Sequence, residues 1–225
     1  MKYEIKGTPF PVVDILLDAN ESVNCQQGAM AWMTPNMQMS TNAGGGLGKM
    51  FSRSFSGESI FQNIYTAKNG PGEIAFASST PGNILPFEIT QNRNIVAQKH
   101  AYLACTQGVQ MSIFFNKRFG TGFFGGEGFI MQLFSGQGMA FLEFDGSIVE
   151  YQLEQGQSML VDTGYLAAMD STCSISIETV AGLGNKLFGG EGFFNTKVTG
   201  PGHVWLQTMP INNVAGSLRP YITTG

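Results

Sequence analysis

The sequence predicts an all-β protein in which one small unit is repeated three times. The hexapeptide FGGEGF occurs at residues 124–129 and again at 188–193, 64 residues later. Self-similarity at a fixed period is typical of a supersecondary unit used repeatedly. Short runs of alternating apolar and polar residues lie between glycine-rich turns, as in β-strands with one buried face. No ten consecutive residues show a clean helical period of 3.6.

The repeat extends beyond the hexapeptide. The same offset places the triplet GQG at 136–138 on GPG at 200–202. It also places residues 102–104 on 166–168 or, shifted by one residue, on 165–167. Residues that recur in every copy are more often needed to build the unit than to carry out one reaction.

An earlier and looser copy precedes these two. It reads FSGESI at residues 55–60, followed by GPG at 70–72, and its offset to the second copy falls from 72 to 66 residues along the unit. The first copy therefore holds about six extra residues, which fall in the loop at 44–48 and before Gly70. Loops between fixed strands tolerate such insertions.

We therefore expect one domain made of three units at about residues 1–75, 76–140 and 141–225. Each unit is predicted to resemble a β-sandwich or a double-stranded β-helix, and the units to surround a pseudo-threefold axis. The open edges of a small antiparallel unit must be covered, most simply by the neighbouring unit or by another subunit.

The third copy gives the clearest strand pattern. Asp145-Gly146 lies between two β-rich runs and predicts a β-hairpin, because both positions of such a turn favour positive φ. Gln155-Gly156 predicts a further turn. The only helical candidate is a short glycine-flanked segment at 47–55. The predicted strands of the third copy are 140–144, 147–153, 158–161, 165–169 and 173–180.

Composition favours self-association. Hydrophobic residues make up 43% of the 225 residues, whereas charged residues make up only 12%, about half the usual ~25%. A low charged fraction indicates surface that is buried against other copies, so we predict a homo-oligomer. The net charge is −4, and no basic run exceeds Lys117-Arg118, which argues against duplex nucleic acid as a partner. No apolar run approaches the ~18 residues of a transmembrane helix.

The sequence also predicts a cytoplasmic location. The first six residues carry both charge signs and no apolar core of a secretory signal. The three cysteines, Cys25, Cys105 and Cys173, cannot all pair with one another and form no Cys-x-x-Cys motif. We expect them to be reduced thiols within the core.

Two glycine-rich segments resemble cofactor loops, but neither has the required context. Residues 120–125 match G-x-G-x-x-G, yet a strand-like run at 129–134 follows where a dinucleotide site needs a helix. Residues 43–50 lack the leading glycine of a phosphate loop and the hydroxyl residue after Lys49. No cofactor is therefore predicted.

Three glutamates, Glu58, Glu127 and Glu191, occupy the same position in the three units. Three equivalent carboxylates around a pseudo-threefold axis could bind a cation. A glutamate beside glycines in a tight bend more often accepts backbone N–H bonds, and we favour this structural role.

His100 and His203 have no further ligand at metal-binding spacing. No catalytic constellation is recognisable, so an enzyme is not predicted.

Several segments carry a family resemblance. Residues 44–49 (GGGLGK) and 51–61 (FSRSFSGESIF) resemble the signature of the altered-inheritance-of-mitochondria, or mitochondrial biogenesis, family, and LRPY at 218–221 fits it too. The resemblance covers essentially the whole chain. It implies a β-fold similar to the tryptophan RNA-binding attenuation protein, with repeated units in one polypeptide and a trimeric assembly.

The eukaryotic relatives that this resemblance implies are mitochondrial and linked to organisation of the inner membrane. An arginine-rich presequence is absent here, so the chain resembles a bacterial or archaeal cytosolic member. The family has no established catalytic residues. Our leading functional prediction is a non-enzymatic oligomeric scaffold or interaction module. One alternative is a binder of a small ligand or single-stranded RNA, and another is a degenerate cupin-like enzyme.

Overall fold

A computed structural model gives the architecture of residues 1–42, 62–117, 128–179, 194–218 and 221–222. These ranges are built from β-strands, two short 3-10 turns and one short α-helix. The prediction of an all-β protein is therefore confirmed. The helical candidate at 47–55 lies outside the described residues.

The strands are numbered in chain order. The first ten are β1 (Lys2–Lys6), β2 (Val12–Leu17), β3 (Ser22–Gln26), β4 (Met30–Met33), β5 (Met37–Asn42), β6 (Gln62–Ala67), β7 (Gly72–Ala77), β8 (Gly82–Ile89), β9 (Ile95–Gln98) and β10 (Tyr102–Thr106). The others are β11 (Val109–Lys117), β12 (Phe129–Gly136), β13 (Gly138–Asp145), β14 (Ile148–Leu153), β15 (Ser158–Asp162), β16 (Leu166–Asp170), β17 (Ser174–Thr179), β18 (Phe194–Thr199) and β19 (Gly202–Gln207). Helix α1 (Ile211–Leu218) follows β19.

Four antiparallel sheets contain these strands. Their orders are β1-β2-β7-β4, β5-β6-β3-β10-β13-β8, β11-β12-β9-β16-β19-β14 and β15-β18-β17. The same pairing order recurs in three groups of six consecutive strands: β2–β7, β8–β13 and β14–β19. In each group the first strand pairs with the sixth and the sixth with the third, while the second pairs with the fifth and the fifth with the fourth.

Two strand pairings connect the groups, and we call them junctions. In each junction the second strand of one group pairs with the third strand of the next, which gives β3–β10 and β9–β16. The third strand carries a bulge at the same place in every group. The register slips between Met30 and Trp32 in β4, between Tyr102 and Ala104 in β10, and between Leu166 and Ala168 in β16. This register matches residues 102–104 with 166–168 rather than with 165–167.

The predicted hairpin at Asp145-Gly146 is wrong. Gly146 has the positive φ (+72°) that the turn requires, but β13 pairs with β8 and β10, whereas β14 pairs with β19. The chain turns here and passes from one sheet to another. A turn signal specifies a local reversal, and the neighbouring sheets decide whether the flanking strands pair.

The other strands predicted for the third copy agree with β13 to β17 to within a few residues. Gly156 makes the predicted turn with φ +79°. Helix α1 was missed because its sequence, INNVAGSL, contains residues of weak helix propensity. The carboxylate of Asp145 accepts a hydrogen bond from the backbone N–H of Ile211 at 2.8 Å. A distant side chain thus satisfies one of the free N–H groups at the start of the helix.

The core consists of three apolar clusters, each between two successive sheets in the order given above. We call this succession the row of sheets. The first packs β2, β3 and β7 against residues of β10 and β13, the second lies between the two six-stranded sheets, and the third packs β14 to β19 against β9 and β12. In both junctions, the third strand contributes to two clusters. Leu103 and Ala104 belong to the first cluster, whereas Tyr102 and Cys105 belong to the second. The junctions therefore join neighbouring cores as well as neighbouring sheets.

Candidate functional site

The repeated glutamates and the cofactor-like glycine-rich segments were the site candidates from the sequence. Glu58, Glu127 and Glu191 lie outside the described residues, as do the cofactor-like segments at 120–125 and 43–50. Their roles therefore stay predictions.

An exposed apolar surface lies on strand β4, at one end of the row of sheets. Its Trp32 and Met33 are 54% and 39% exposed. Among the described strands, β4 pairs only with β7. The equivalent strands β10 and β16 pair on both sides, and their equivalent residues are fully buried: Leu103, Ala104, Cys105, Ala167, Ala168 and Met169. Exposed strand edges with large apolar side chains are typical of interaction surfaces.

A second open edge lies at the opposite end of the row. Strand β15 pairs with β18 and, within the described ranges, with no other strand. Its Leu160 is 59% exposed, whereas Val96, at the equivalent position of β9, is fully buried. Sequence reasoning predicted the strand but not its exposure, because exposure depends on which neighbour is present.

A polar pocket lies at the N-terminal edge, where β1 covers β2. The Lys6 ammonium donates to Asp14 Oδ2 at 3.0 Å and contacts Glu4 Oε2 at 3.2 Å. Hydrogen bonding to Asp14 raises the pKa of Glu73, and hydrogen bonding to Asp14 also raises the pKa of Lys6. The pocket therefore brings the Lys6 cation together with the carboxylates of Glu4, Asp14 and Glu73. Lys6 already balances part of the negative charge, which disfavours a bound metal cation.

A buried carboxylate fixes the connection between the first two groups of strands. Glu143 on β13 accepts hydrogen bonds from the Ser79 N–H at 2.6 Å and from the Ser79 and Ser78 hydroxyls at 3.0 and 2.9 Å. Burial raises the pKa of Glu143, and the bonds from the serines oppose this effect. Gln207, 64 residues later on β19, accepts from the Asp145 N–H at 3.1 Å. Both side chains thus hold the segment through which the chain enters a new group, which is a structural role.

We expect Glu143→Ala to lower the free energy of unfolding by about 2–3 kcal/mol, because the part-buried Ser79 N–H loses its acceptor. Chemical denaturation measures the change, and the exposed Glu150 provides a matched control. Its ion pair with His203 is solvent-exposed, so Glu150→Ala is expected to cost less than ~1 kcal/mol. Equal losses in the two variants would contradict the structural role of Glu143.

The same carboxylate has a defined pH dependence. Its folded-state pKa lies above the ordinary value of 4.5, so protonation favours the folded state. This contribution is complete below the ordinary pKa and is lost as the pH rises through the folded-state pKa. The stability of the wild type relative to Glu143→Gln should therefore fall as the pH is raised through that window, and a constant difference would contradict the prediction.

The two histidines and the three cysteines do not come together in a metal-binding or catalytic site. His203 Nδ1 lies 2.5 Å from Glu150 Oε1, and its ring stacks on Trp205. No pattern in the sequence indicates this pair, because the partners lie on neighbouring strands, 53 residues apart. Burial raises the pKa of Cys25 to about 12 and those of Cys105 and Cys173 to about 11. All three cysteines are free and buried, as expected for core thiols.

Within the described ranges, no group of three His, Cys, Asp or Glu side chains is arranged to hold a metal ion. No described helix has the length and apolar character that are needed to cross a membrane.

Comparison with known proteins places these features in a family of unknown activity. The chain is 31% identical over 234 residues to an uncharacterised protein of Streptococcus pyogenes, with 100% of this chain and 92% of that protein covered. It is also similar to a crystal structure of a protein from Streptococcus pyogenes, with a TM-score of 0.80, 28% identity and coverage of 98% and 99%. The profile described as "Mitochondrial biogenesis AIM24" matches residues 3–209. The chain therefore belongs to the AIM24 mitochondrial biogenesis family.

Proposed function

We propose that this protein is a non-enzymatic scaffold that assembles with further copies of itself, as a homotrimer. The observation that carries the proposal is the pair of open strand edges at the two ends of the row of sheets. Trp32, Met33 and Leu160 expose apolar surface there, at positions whose equivalents elsewhere in the molecule are buried or half-buried. The low charged fraction of 12% also favours a surface that is partly covered in an assembly.

The scaffold is built, in this proposal, from three copies of one six-strand unit around a pseudo-threefold axis. The recurring pairing order and the recurring bulge support it. They favour unit boundaries after β7 and after β13, a few residues beyond the boundaries of 75 and 140 that the sequence suggested. Each unit then contributes two three-stranded antiparallel arrays, which is compatible with the proposed similarity to the tryptophan RNA-binding attenuation protein.

The repeated glutamates have a structural role in this scheme. Glu58, Glu127 and Glu191 fall in the connections between β5 and β6, β11 and β12, and β17 and β18. These are equivalent connections, from the fourth to the fifth strand of each group. A residue type that recurs at one place in each unit is best explained by the geometry of that connection.

We also propose that the protein acts in the cytoplasm. The three buried cysteines support this location, since none of them is paired. Unpaired core thiols are typical of reducing compartments.

Size-exclusion chromatography with light scattering tests the assembly. We expect a mass of three times the 24.2 kDa chain, retained on dilution into the low micromolar range. Measurements at ~0.1 and ~1 M salt serve as a control, because an association driven by apolar burial should persist at high salt. A mass of one chain at all concentrations would contradict the scaffold.

A further inference from the structure

We propose that strand β15 of one copy pairs in antiparallel fashion with strand β4 of the next, so that the copies join head to tail. The inference rests on the proposed scaffold and names its contact surface. The partner is a second copy of this chain. Its identity follows from the two junctions that the chain already makes within itself.

Both junctions have the same strand arrangement. The second strand of one group lies beside the third strand of the following group, and three residue pairs face each other. In the first junction the pairs are Cys25–Ala104, Asn24–Cys105 and Val23–Thr106. In the second junction they are Ala97–Ala168, Val96–Met169 and Ile95–Asp170. The second strand of the third group, β15, and the third strand of the first group, β4, have no such neighbour among the described strands.

Strand registers within each group fix which residues would meet. Met159 lies opposite Val198 in the third group, and Ile95 lies opposite Phe134 in the second group. The two pairs are separated by 64 residues in both strands, so each residue of β15 is equivalent to the residue of β9 that lies 64 positions earlier. The bulges likewise place Trp32 at the position of Ala104. Transferred to the unpartnered strands, the junction register pairs Trp32 with Val161, Met33 with Leu160, and Thr34 with Met159.

The clusters of the existing junctions indicate where the side chains would go. Leu103 and Ala104 pack in the core of the preceding group, and Ala167 and Ala168 do the same in the second junction. Trp32 occupies the equivalent position in β4, so its ring would project into the third group of the neighbouring copy. The half-buried Met159, Ile175 and Ile177 border the core there. A large aromatic side chain in such a place is a typical interface anchor.

The chemistry of the β4 edge favours pairing over solvation. Edge strands that must stay unpaired usually carry charge or proline. Strand β1 has Lys2, Glu4 and Lys6, and β8 has Pro86 at an outer edge. Strand β4, with the sequence MAWM, has neither charge nor proline.

The pairing joins two different surfaces. Each copy uses its first group on one side and its third group on the other. A contact of this kind is heterologous, and it closes into a ring when the rotation between copies divides a full turn. Every sheet in the closed assembly would then extend across two groups, as the two six-stranded sheets already do.

Cross-linking between variants that each carry one introduced cysteine tests the register. The full chain with Met33→Cys is mixed with the full chain carrying Leu160→Cys and treated with a short bismethanethiosulfonate reagent. Directly opposite residues in an antiparallel pair have Cβ atoms ~5 Å apart, so we expect a linked species of two chains on a non-reducing gel. Met39→Cys replaces Leu160→Cys as the control, because Met39 is 57% exposed but lies on β5. The native cysteines are buried and free in both arms.

A substitution supplies an independent readout. Trp32→Asp places a charge in the proposed contact and should reduce the mass of the assembly to that of a single chain, whereas Met39→Asp should leave it unchanged. Far-ultraviolet circular dichroism is expected to be the same in both variants, since Trp32 is more than half exposed.

The outcomes separate the contact from the scaffold. An oligomeric wild type that shows no 33–160 cross-link, and whose mass survives Trp32→Asp, would overturn the β15–β4 contact and leave the scaffold standing. A link formed within one chain in the Met33→Cys/Leu160→Cys double variant, without links between chains, would overturn the contact by showing that the molecule closes on itself. A monomeric wild type would overturn both proposals.

Discussion

Gly138→Ala is expected to lower the free energy of unfolding by about 3–5 kcal/mol. Gly138 has φ +151°, a backbone conformation that L side chains rarely adopt. A methyl group there would also lie 2.0 Å from Thr106 Oγ1 and 3.3 Å from a Val109 methyl. Thr106 cannot move away freely, because its hydroxyl accepts a hydrogen bond from the Met139 N–H at 3.0 Å. Urea denaturation at fixed protein concentration measures the loss.

A second glycine separates backbone strain from crowding. Gly156 also has positive φ (+79°), but nothing lies within 4 Å of the position where its Cβ would be. Gly156→Ala should therefore cost only the backbone strain of about 1–2 kcal/mol. Equal losses for the two substitutions would show that the crowding at Gly138 is relieved by adjustment of its neighbours.

Phe141→Ala is expected to destabilise the protein by about 3–5 kcal/mol, as for other buried phenylalanines. Phe141 is fully buried on β13, yet it packs in the first core cluster with residues of β2, β3 and β7. The ring of Tyr3 contacts it edge-on, with the ring centroids 4.9 Å apart. The substitution leaves a cavity where the second group of strands meets the first, so unfolding measured by circular dichroism should shift to lower denaturant concentration.

Phe114 provides the matched control for this substitution. It lies on β11, an edge strand, and is 38% exposed. Phe114→Ala removes the same atoms with less burial and is expected to cost less than about 1 kcal/mol. If Phe114→Ala were as damaging as Phe141→Ala, the assignment of Phe141 to the shared core would be wrong.

The strands and turns of the third copy were predictable because their signals are local. The turn signal at Gln155-Gly156 placed the strand at 158–161 within a residue of β15, and Gly156 makes this turn. The repeated triplets at 136–138 and 200–202 have a steric explanation that no pattern alone provides. A Cβ on Gly138 would collide with Thr106, and a Cβ on Gly202 would lie 2.8 Å from Cys173 Sγ.

The features that bear on function were harder to predict from the sequence. Leu160 is exposed because none of the described strands lies beside β15 where β16 lies beside Val96, its equivalent in β9. The partners of Glu143 lie 64 and 65 residues away. No local signal links positions so far apart, because a short-range pattern specifies the conformation of a segment and not its neighbour.

The sequence by itself determined that this chain is all-β, where many of its strands lie and that short motifs recur along it. Strand formation and turning depend on the side chains of a few adjacent residues, so a short stretch of sequence is enough to predict them. The tertiary structure alone decided that Asp145-Gly146 separates two sheets instead of closing a hairpin, that Asp145 caps α1, and that β4 and β15 end the row of sheets. These outcomes depend on backbone hydrogen bonds between distant strands, which nearly every residue type can make and which packing must therefore select.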